Sequence, residues 1–268
     1  MGAATHKPSY SLSQFIAEFL VFGLRQARAC AFAGSFFAVL FLSNHIPLFG
    51  LPRYDFLFLA AIGIQVVLYA LKLETFREIK VIFLFHIIGF ALEVYKTSPE
   101  IGSWTYPEEA FLKIATVPLF SGFMYAAVGS YISMSWSQMR LSLTHVPNYL
   151  ISIALSILIY LNFFTHHFLP DIRYLLIASV FVLYFHTRVH FTVIRTRRWM
   201  PINVAFLLIA FFIWIAENIS TYFGAWKYPD QIHEWTLVGV GKISSWFLLV
   251  IISFIIIAYI KHYQSQKL

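Results

Sequence analysis

Residues 243–260 read Ile-Ser-Ser-Trp-Phe-Leu-Leu-Val-Ile-Ile-Ser-Phe-Ile-Ile-Ile-Ala-Tyr-Ile, a run of 18 residues without a charged side chain. A helix needs roughly 17 to 25 mostly apolar residues to cross the hydrocarbon core of a bilayer. The whole chain has the same character, because 60% of its 268 residues are hydrophobic and only 12% are charged. A soluble protein of this size needs more charged surface than that. The sequence therefore predicts an all-α integral membrane protein.

Apolar runs of this kind recur along the chain and predict a polytopic transmembrane helical bundle of about eight spans. Helix-breaking prolines such as Pro47, Pro107 and Pro201 lie between the runs. The first span is the least regular, because residues 13–28 also have a helical pattern and could form an interfacial helix or the start of a long span. The predicted spans are residues 29–43, 54–71, 79–94, 114–136, 149–164, 174–193, 202–222 and 243–260.

The distribution of basic residues predicts the orientation of this bundle. Of the 19 Lys and Arg residues, 13 lie on the amino-terminal side or in every second loop after it. By the positive-inside rule, both termini are then cytoplasmic. The excess of Lys and Arg on the predicted cytoplasmic side also accounts for most of the formal net charge of +7. The sequence has no basic surface with interleaved aromatic residues, so we expect no nucleic acid among its partners. The single cysteine, Cys30, excludes an internal disulfide and a multi-thiolate metal site.

The motif Gly-x-Trp-x-Tyr-Pro occurs twice, at residues 102–107 and 224–229, and a glutamate precedes each copy, Glu93 and Glu217. This predicts two four-span repeats, residues 29–136 and 149–268, joined by a cytoplasmic linker at 137–148 and preceded by an amino-terminal interfacial helix at 1–28. Because each repeat has an even number of spans, the two insert in parallel about an axis along the membrane normal. The alternative is that each motif is only a turn with aromatic anchors at the membrane interface.

The carboxylates within predicted spans are the first candidates for a functional site, because a charge inside the bilayer is costly. His86 precedes Glu93 by seven residues and so lies on the same helix face. Glu217 could form a structural pair with Lys242, or the two glutamates could handle protons or a ligand in one outward-facing cavity. The catalytic candidates are Glu93, Glu217 and His86. The ligand-binding candidates are Trp104, Tyr106, Trp214, Asn218, Trp226, Tyr228 and Lys242.

The histidines fall into two groups that one metal site cannot share. His186 and His190 have the spacing of a helical pair near the cytoplasmic end of the sixth span, where we expect lipid headgroups. Asp171 lies about 22 Å from His186 along that helix. This separation weighs against a membrane di-iron desaturase. A metal site in the outer loop remains open and would use His166, His167 and Asp171 with Glu93.

Several motifs in the second half of the chain are distinctive: Phe-Thr-His-His at 164–167, Pro-Asp-x-Arg at 170–173, Trp-Ile-Ala-Glu-Asn at 214–218, Gly-Ala-Trp-Lys-Tyr-Pro-Asp-Gln at 224–231 and Lys-x-Ser-Ser-Trp at 242–246. They resemble the YoaT-like proteins, a bacterial membrane family of unknown function (domain-of-unknown-function family 817). The resemblance covers nearly the whole chain. It implies a bacterial cytoplasmic (inner) membrane protein and implies no activity.

A weaker resemblance links the carboxylate, the Gly-x-Trp-x-Tyr motif and Pro107-Glu108-Glu109 to the membrane carotenoid cyclases and hydratases. In those proteins, acidic residues are thought to protonate the end of a polyene. In this chain Pro-Glu-Glu directly follows Tyr106 instead of coming a span later.

Three functions are compatible with these patterns. The first is an enzyme that acts on a lipid or isoprenoid by acid catalysis, with Glu93 and Glu217 as proton donor and acceptor and aromatic walls that stabilise a carbocation. The second is a small-molecule or proton-coupled transporter. The third is a non-catalytic membrane interaction protein. The expected partners are membrane lipids and a hydrophobic small molecule, and no motif identifies a cofactor.

Overall fold

The computed structural model describes residues 11–265 and is mostly helical. Two helices begin with a capping box. Ser11 and Gln14 cap the first helix, and Thr75 and Glu78 cap the fourth. The helices in the described part of the chain are α1 (Leu12–Ala29), α2 (Ala31–Leu42), α3 (Arg53–Ala70), α4 (Phe76–Lys96), α5 (Gly122–Gln138), α6 (Tyr149–Thr165), α7 (Arg173–Leu183), α8 (Ile202–Tyr222) and α9 (Lys242–Ser265).

Three of these helices are long and apolar enough to cross a membrane, namely α3, α8 and residues 242–261 of α9. The helices α2, α6 and α7 are apolar but shorter. The composition of the described helices therefore indicates a membrane protein. The number of about eight spans remains a prediction.

The prediction of an all-α chain is wrong in one respect, because the structure contains five short strands among the described residues. A two-stranded hairpin pairs β1 (Lys113–Ile114) with β2 (Val117–Pro118). An antiparallel sheet has the order β3-β4-β5, formed by β3 (Ser142–Thr144), β4 (Arg188–Thr192) and β5 (Arg197–Pro201). β3 lies within the predicted linker.

The strands shorten two predicted spans. The helix expected at 114–136 begins only at Gly122, since Pro118 has no amide hydrogen to continue a helix and instead ends the hairpin. The helix expected at 174–193 ends at Leu183. Beyond it, His190 pairs with Trp199 in the β4–β5 ladder, and His186 lies between helix and strand. The predicted helical pair of His186 and His190 is therefore wrong.

The amino-terminal region has a break between α1 and α2 at Cys30, so α2 has only 12 residues. The predicted interfacial segment 1–28 corresponds to most of α1, and residues 1–10 of it lie outside the described chain. Lys7 and Lys267, which contribute to the orientation prediction, lie outside it as well.

Two buried clusters form the hydrophobic core. One includes Phe32, Leu57, Phe85 and Phe120 and joins α2, α3, α4 and α5. The other joins α6, α7, α8 and α9 through residues that include Ile159, Val180, Phe206 and Ile251. Trp136 packs against both clusters. The functional candidates lie where the two clusters meet, at the ends of α4 and α8.

Glycines allow α4 and α5 to pack closely. A Cβ atom at Gly89 would collide with the side chain of Tyr125, and one at Gly129 would collide with the ring of Phe85. Both glycines are therefore needed for this packing distance. The close approach places the Tyr125 side chain against α4, one turn before Glu93.

Candidate functional site

The two Gly-x-Trp-x-Tyr-Pro loops contact one another. Each begins with a glycine in the left-handed region, Gly102 with φ +56° and Gly224 with φ +73°. Three residues further on, Thr105 and Lys227 form an antiparallel bridge. Each of their amides donates to the other's carbonyl oxygen over 2.9 Å. The loops therefore meet at corresponding residues.

Glu93 lies in the last two turns of α4 and is only 2% exposed. Its Oε2 accepts hydrogen bonds from the Trp104 indole at 2.7 Å and the Tyr106 hydroxyl at 2.6 Å. Its Oε1 accepts one from the Tyr125 hydroxyl at 2.7 Å. The first loop motif thus provides both its Trp and its Tyr to the carboxylate, and α5 provides a third donor.

Glu217 has a matching environment on α8 and is 3% exposed. Its Oε1 accepts a hydrogen bond from the Tyr228 hydroxyl at 2.5 Å, and its Oε2 accepts one from the Trp246 indole at 2.8 Å. Here the loop provides the tyrosine, whereas the tryptophan comes from α9. Trp226 is buried beside this cluster without donating to Glu217. Each carboxylate is therefore held by one indole and at least one phenol.

The donors restrict where a proton can sit on each carboxylate. An indole N–H can only donate, so the oxygen that accepts it cannot itself carry a proton directed at that partner. A phenol can donate or accept. A proton on either glutamate therefore belongs on Oε1, where it faces Tyr125 in one case and Tyr228 in the other. Tyr125, Tyr228 and Glu217 all line the same cavity.

The loop tyrosines remain protonated donors. Burial, together with the neighbouring Glu93, raises the pKa of Tyr106 well above its ordinary value. Burial and the neighbouring Glu217 do the same to the pKa of Tyr228. Their hydroxyls can therefore hold or pass a proton without becoming phenolates near neutral pH.

Both carboxylates face one cavity of about 150 Å³. Cationic side chains also line it, namely Lys96 from the end of α4, Arg173 from the start of α7 and Lys242 from the start of α9. Its aromatic walls include Trp104, Trp226 and Trp246. The cavity therefore combines acidic, basic and aromatic groups contributed by both halves of the chain.

Lys242 does not form an ion pair with Glu217 in the described part of the chain. Its Nζ lies 4.2 Å from the centre of the Tyr228 ring and 5.9 Å from that of Trp104. These are cation–π contacts. The ammonium group therefore contacts ring faces, and it interacts with the Glu217 carboxylate electrostatically without the ion-pair contact of the structural alternative.

The outer histidines contact a lysine. Lys96 is 4% exposed, and its Nζ lies 2.9 Å from Nε2 of His167 and 3.4 Å from Nε2 of His166. Burial and the adjacent ammonium group lower the pKa of His167, so a neutral imidazole can accept from Lys96. Asp171 instead pairs with Arg173 at 2.5 Å. Across residues 11–261, no three His, Cys, Asp or Glu side chains cluster closely enough to hold a metal ion.

The predicted catalytic residue His86 and the predicted ligand-binding residues Trp214 and Asn218 do not line the cavity and do not contact either carboxylate. His86 packs against Phe123 with ring centres 4.4 Å apart, and its buried Nδ1 has no hydrogen-bond partner among the described residues. Trp214 donates to the carbonyl oxygen of Val238 at 2.9 Å, and Asn218 accepts from the amide of Val238 at 2.8 Å. Trp214 and Asn218 thus fix the loop before α9.

Four residues of the site were not among the candidates chosen from the sequence: Lys96, Tyr125, Arg173 and Trp246. Arg173 and Trp246 belong to the distinctive motifs at 170–173 and 242–246, and the second motif also contains Lys242. Membership of these motifs could have marked both residues as site candidates. Lys96 was visible as a basic residue three positions after Glu93. Tyr125 had no signal, because it lies 32 residues from Glu93 in an apolar run.

Comparison with known proteins places these residues in a family context. The family described as "Protein of unknown function (DUF817)" matches residues 18–254. The chain is 49% identical over 252 residues to the uncharacterized protein YoaT of Bacillus subtilis (strain 168), covering 94% of this chain and 95% of that protein. No solved structure matches the chain.

Proposed function

Because this chain belongs to the DUF817 family of proteins of unknown function, we propose a function from its own site: a membrane enzyme that moves protons on an unsaturated lipid or isoprenoid. Glu93 and Glu217 are the proton donor and acceptor. The observation that carries the proposal is the matched pair of buried carboxylates, each held by an indole and a phenol and both facing one cavity.

The site suits acid chemistry because two carboxylates at one cavity repel each other when both are ionised, so the pair holds one proton. The proton of Glu93 passes through the Tyr125 hydroxyl to one carbon of an alkene. The π electrons form the new C–H bond and leave a carbocation on the adjacent carbon. Ionised Glu217 then removes a proton from a carbon next to the cation, and that electron pair forms a new double bond.

The substrate therefore keeps its composition, and the product is a double-bond isomer. If a second double bond of the substrate attacks the cation first, the product is a ring. The aromatic faces of Trp104, Trp226 and Trp246 stabilise the intermediate cation. Proton exchange with solvent that enters the cavity returns Glu217 to its ionised form and Glu93 to its protonated form, which resets the pair.

A hydrocarbon substrate also has a place to bind. An apolar groove between α4, α5, α8 and α9, with Tyr160 of α6 beside it, includes Phe85, Ile88 and Ile213 and encloses about 30 Å³. It shares Leu92, Tyr125, Trp246 and Leu249 with the cavity. A chain lying in this groove reaches the two carboxylates without crossing the polar side of the site.

The topology proposed for this enzyme is a multi-pass protein of the bacterial inner membrane with both termini cytoplasmic. It has about eight spans in two parallel four-span repeats, residues 29–136 and 149–268. The bridge between Thr105 and Lys227 supports the repeat, because a two-fold axis brings corresponding residues into contact. The two carboxylates then occupy corresponding places around a cavity that is open to the outside.

A proton-coupled transporter is the second candidate function. The observation that favours it is that each carboxylate accepts a hydrogen bond from a tyrosine of the same cavity, Tyr125 at Glu93 and Tyr228 at Glu217, so both carboxylates have a proton-carrying neighbour there. In that case the proton moves with a solute instead of reacting with an alkene. A third possibility, a non-catalytic interaction protein, leaves the buried carboxylates without a role.

The test uses deuterium. Purified protein in liposomes made from total bacterial lipid extract is incubated in D₂O, and the lipids are analysed by mass spectrometry. Alkene protonation followed by loss of a different proton puts deuterium on carbon, and we expect enrichment in one lipid class. The Glu93→Gln/Glu217→Gln double variant is the matched control. Equal labelling with both proteins overturns the enzyme, and proton uptake on addition of a solute then favours the transporter.

A further inference from the structure

We propose that the ligand of this cavity is an amphiphile with an anionic head group, a phosphate or a carboxylate, and one hydrocarbon chain. Lys96, Lys242 and Arg173 bind the head group, and the apolar groove between α4, α5, α8 and α9 binds the chain. This inference rests on the proposed function and names its substrate class.

The first observation is the convergence of three cations. Lys96, Lys242 and Arg173 line the same cavity although they come from three different helices. Lys96 is close enough to both of the others to be repelled by them. Like charges that are held together at a partly desolvated site cost free energy unless an anion compensates them.

The second observation is that this compensation is incomplete within the described chain. Arg173 pairs with Asp171, but Lys96 contacts two imidazoles and Lys242 contacts two ring faces. Neither of these lysines forms an ion pair with a described carboxylate. Both ammonium groups therefore retain donors for a ligand oxygen.

The two glutamates do not accept hydrogen bonds from these lysine donors. Each Oε atom of Glu93 and Glu217 already accepts a hydrogen bond from a tryptophan or a tyrosine. When the pair shares one proton, the three cations outnumber the two remaining negative charges, which are those of the pair and of Asp171. An arriving anion is then attracted to the cationic side.

The third observation is the continuity of the cavity with the groove. Four residues, Leu92, Tyr125, Trp246 and Leu249, line both. The groove beyond them is almost entirely apolar, with Ser253 among few polar members. It encloses only about 30 Å³, so a hydrocarbon chain lies along its open side and is not enclosed by it. A polar cavity that opens directly into an apolar groove fits a molecule with a charged head and a hydrocarbon chain. A free phosphate ion uses only half of this arrangement.

The test measures binding to the purified full-length protein in a non-ionic detergent. The probes are dodecyl phosphate, butyl phosphate, inorganic phosphate and dodecyltrimethylammonium, with thermal unfolding followed by tryptophan fluorescence. We expect dodecyl phosphate to raise the melting temperature, butyl phosphate to do so much less, and the cationic amphiphile not at all. An equal shift with inorganic phosphate indicates an anion site without a chain-binding groove and overturns the amphiphile. An equal shift with the cationic amphiphile overturns the head-group assignment.

Variants locate the site. Lys242→Met and Lys96→Met should each weaken dodecyl phosphate binding about tenfold or more, because each removes one charged donor. Lys113→Met is the control, since Lys113 is exposed in β1 and does not line the cavity. The chain-length series in the unmodified protein keeps the proposal testable if a lysine variant fails to fold. Unchanged binding in both folded lysine variants overturns the proposal.

The two proposals fail in different ways. Glu93→Gln should abolish deuterium transfer while dodecyl phosphate still binds. If the unmodified protein binds dodecyl phosphate but transfers no deuterium, the proposed enzyme activity is contradicted and the proposed anionic ligand stands. Deuterium transfer that is unaffected by Lys96→Met and Lys242→Met contradicts the anionic ligand and leaves the enzyme.

Discussion

The backbone amide of Thr105 donates to the carbonyl oxygen of Lys227, and the amide of Lys227 donates back to that of Thr105, both over 2.9 Å. Each residue lies three positions after the glycine of its Gly-x-Trp-x-Tyr-Pro loop. The two-fold relation that we propose between the halves brings corresponding residues into contact in this way. The bridge holds together the loops whose tyrosines bind Glu93 and Glu217, so it links the geometry of the two carboxylates.

Glutamine should replace Glu93 with little loss of stability. Its carbonyl oxygen can accept from Trp104 and Tyr106, and its amide can donate to the Tyr125 hydroxyl, which can accept. We expect the free energy of unfolding to fall by less than about 1 kcal/mol. Glu93→Leu is the comparison, because it leaves these buried donors without an acceptor and should cost about 3 kcal/mol or more. Thermal unfolding in detergent measures both, and equal losses contradict the hydrogen-bond assignment.

A double-mutant cycle tests the relation between Glu217 and Lys242. The lysine contacts aromatic rings and not the carboxylate, so Glu217→Gln and Lys242→Met should couple by less than about 1 kcal/mol. A buried ion pair instead predicts that Glu217→Gln alone costs about 3 to 5 kcal/mol. Lys242→Met would then restore stability. If Lys242→Met restores stability and Glu93→Gln leaves deuterium transfer unchanged, the carboxylate cluster has a structural role only.

Gly89→Ala should damage the site through Tyr125. An added methyl group at position 89 collides with the Tyr125 ring, which then moves away from Glu93. We expect a loss of about 1 to 3 kcal/mol in stability and loss of deuterium transfer. Gly63→Ala on α3 is the control, since nothing lies within 4 Å of its added Cβ. Comparable effects of both substitutions indicate a general helix effect.

The orientation can be tested by labelling in intact cells. In a Cys30→Ser background, Glu100→Cys and Asp230→Cys should react with an impermeant maleimide, whereas Arg195→Cys should react only after lysis. All three positions are exposed, so access depends on the side of the membrane and not on burial. The reverse labelling pattern contradicts the cytoplasmic placement of both termini.

The metal hypothesis has a direct measurement. We expect purified protein to contain no stoichiometric zinc or iron, because the Lys96 ammonium group occupies the position between His166 and His167 that a cation would need. Elemental analysis of the unmodified protein decides this. Stoichiometric metal that His166→Ala and His167→Ala remove restores the predicted outer metal site.

The sequence was sufficient to predict the features of this protein that depend on the polarity of its side chains and on residues close together in the chain. The helical, membrane-compatible character follows from apolar runs such as 243–260. The choice of Glu93 and Glu217 as candidates follows from the cost of a carboxylate in an apolar segment, and both are buried. The family resemblance read from the second-half motifs is confirmed. These features are set by side-chain type and spacing alone.

The errors, the omissions and the alternatives that stayed open lie where a short-range pattern competed with long-range pairing. Residues 188–192 lie within the span predicted at 174–193, but they form β4 because β3 and β5 provide hydrogen-bond partners on both sides. His86 shares a helix face with Glu93, but packing turns its ring toward Phe123. Tyr125 reaches Glu93 only because Gly89 allows α4 and α5 to pack closely, and Lys242 faces rings and not Glu217. Contacts of this kind join residues tens of positions apart, so tertiary packing decides them.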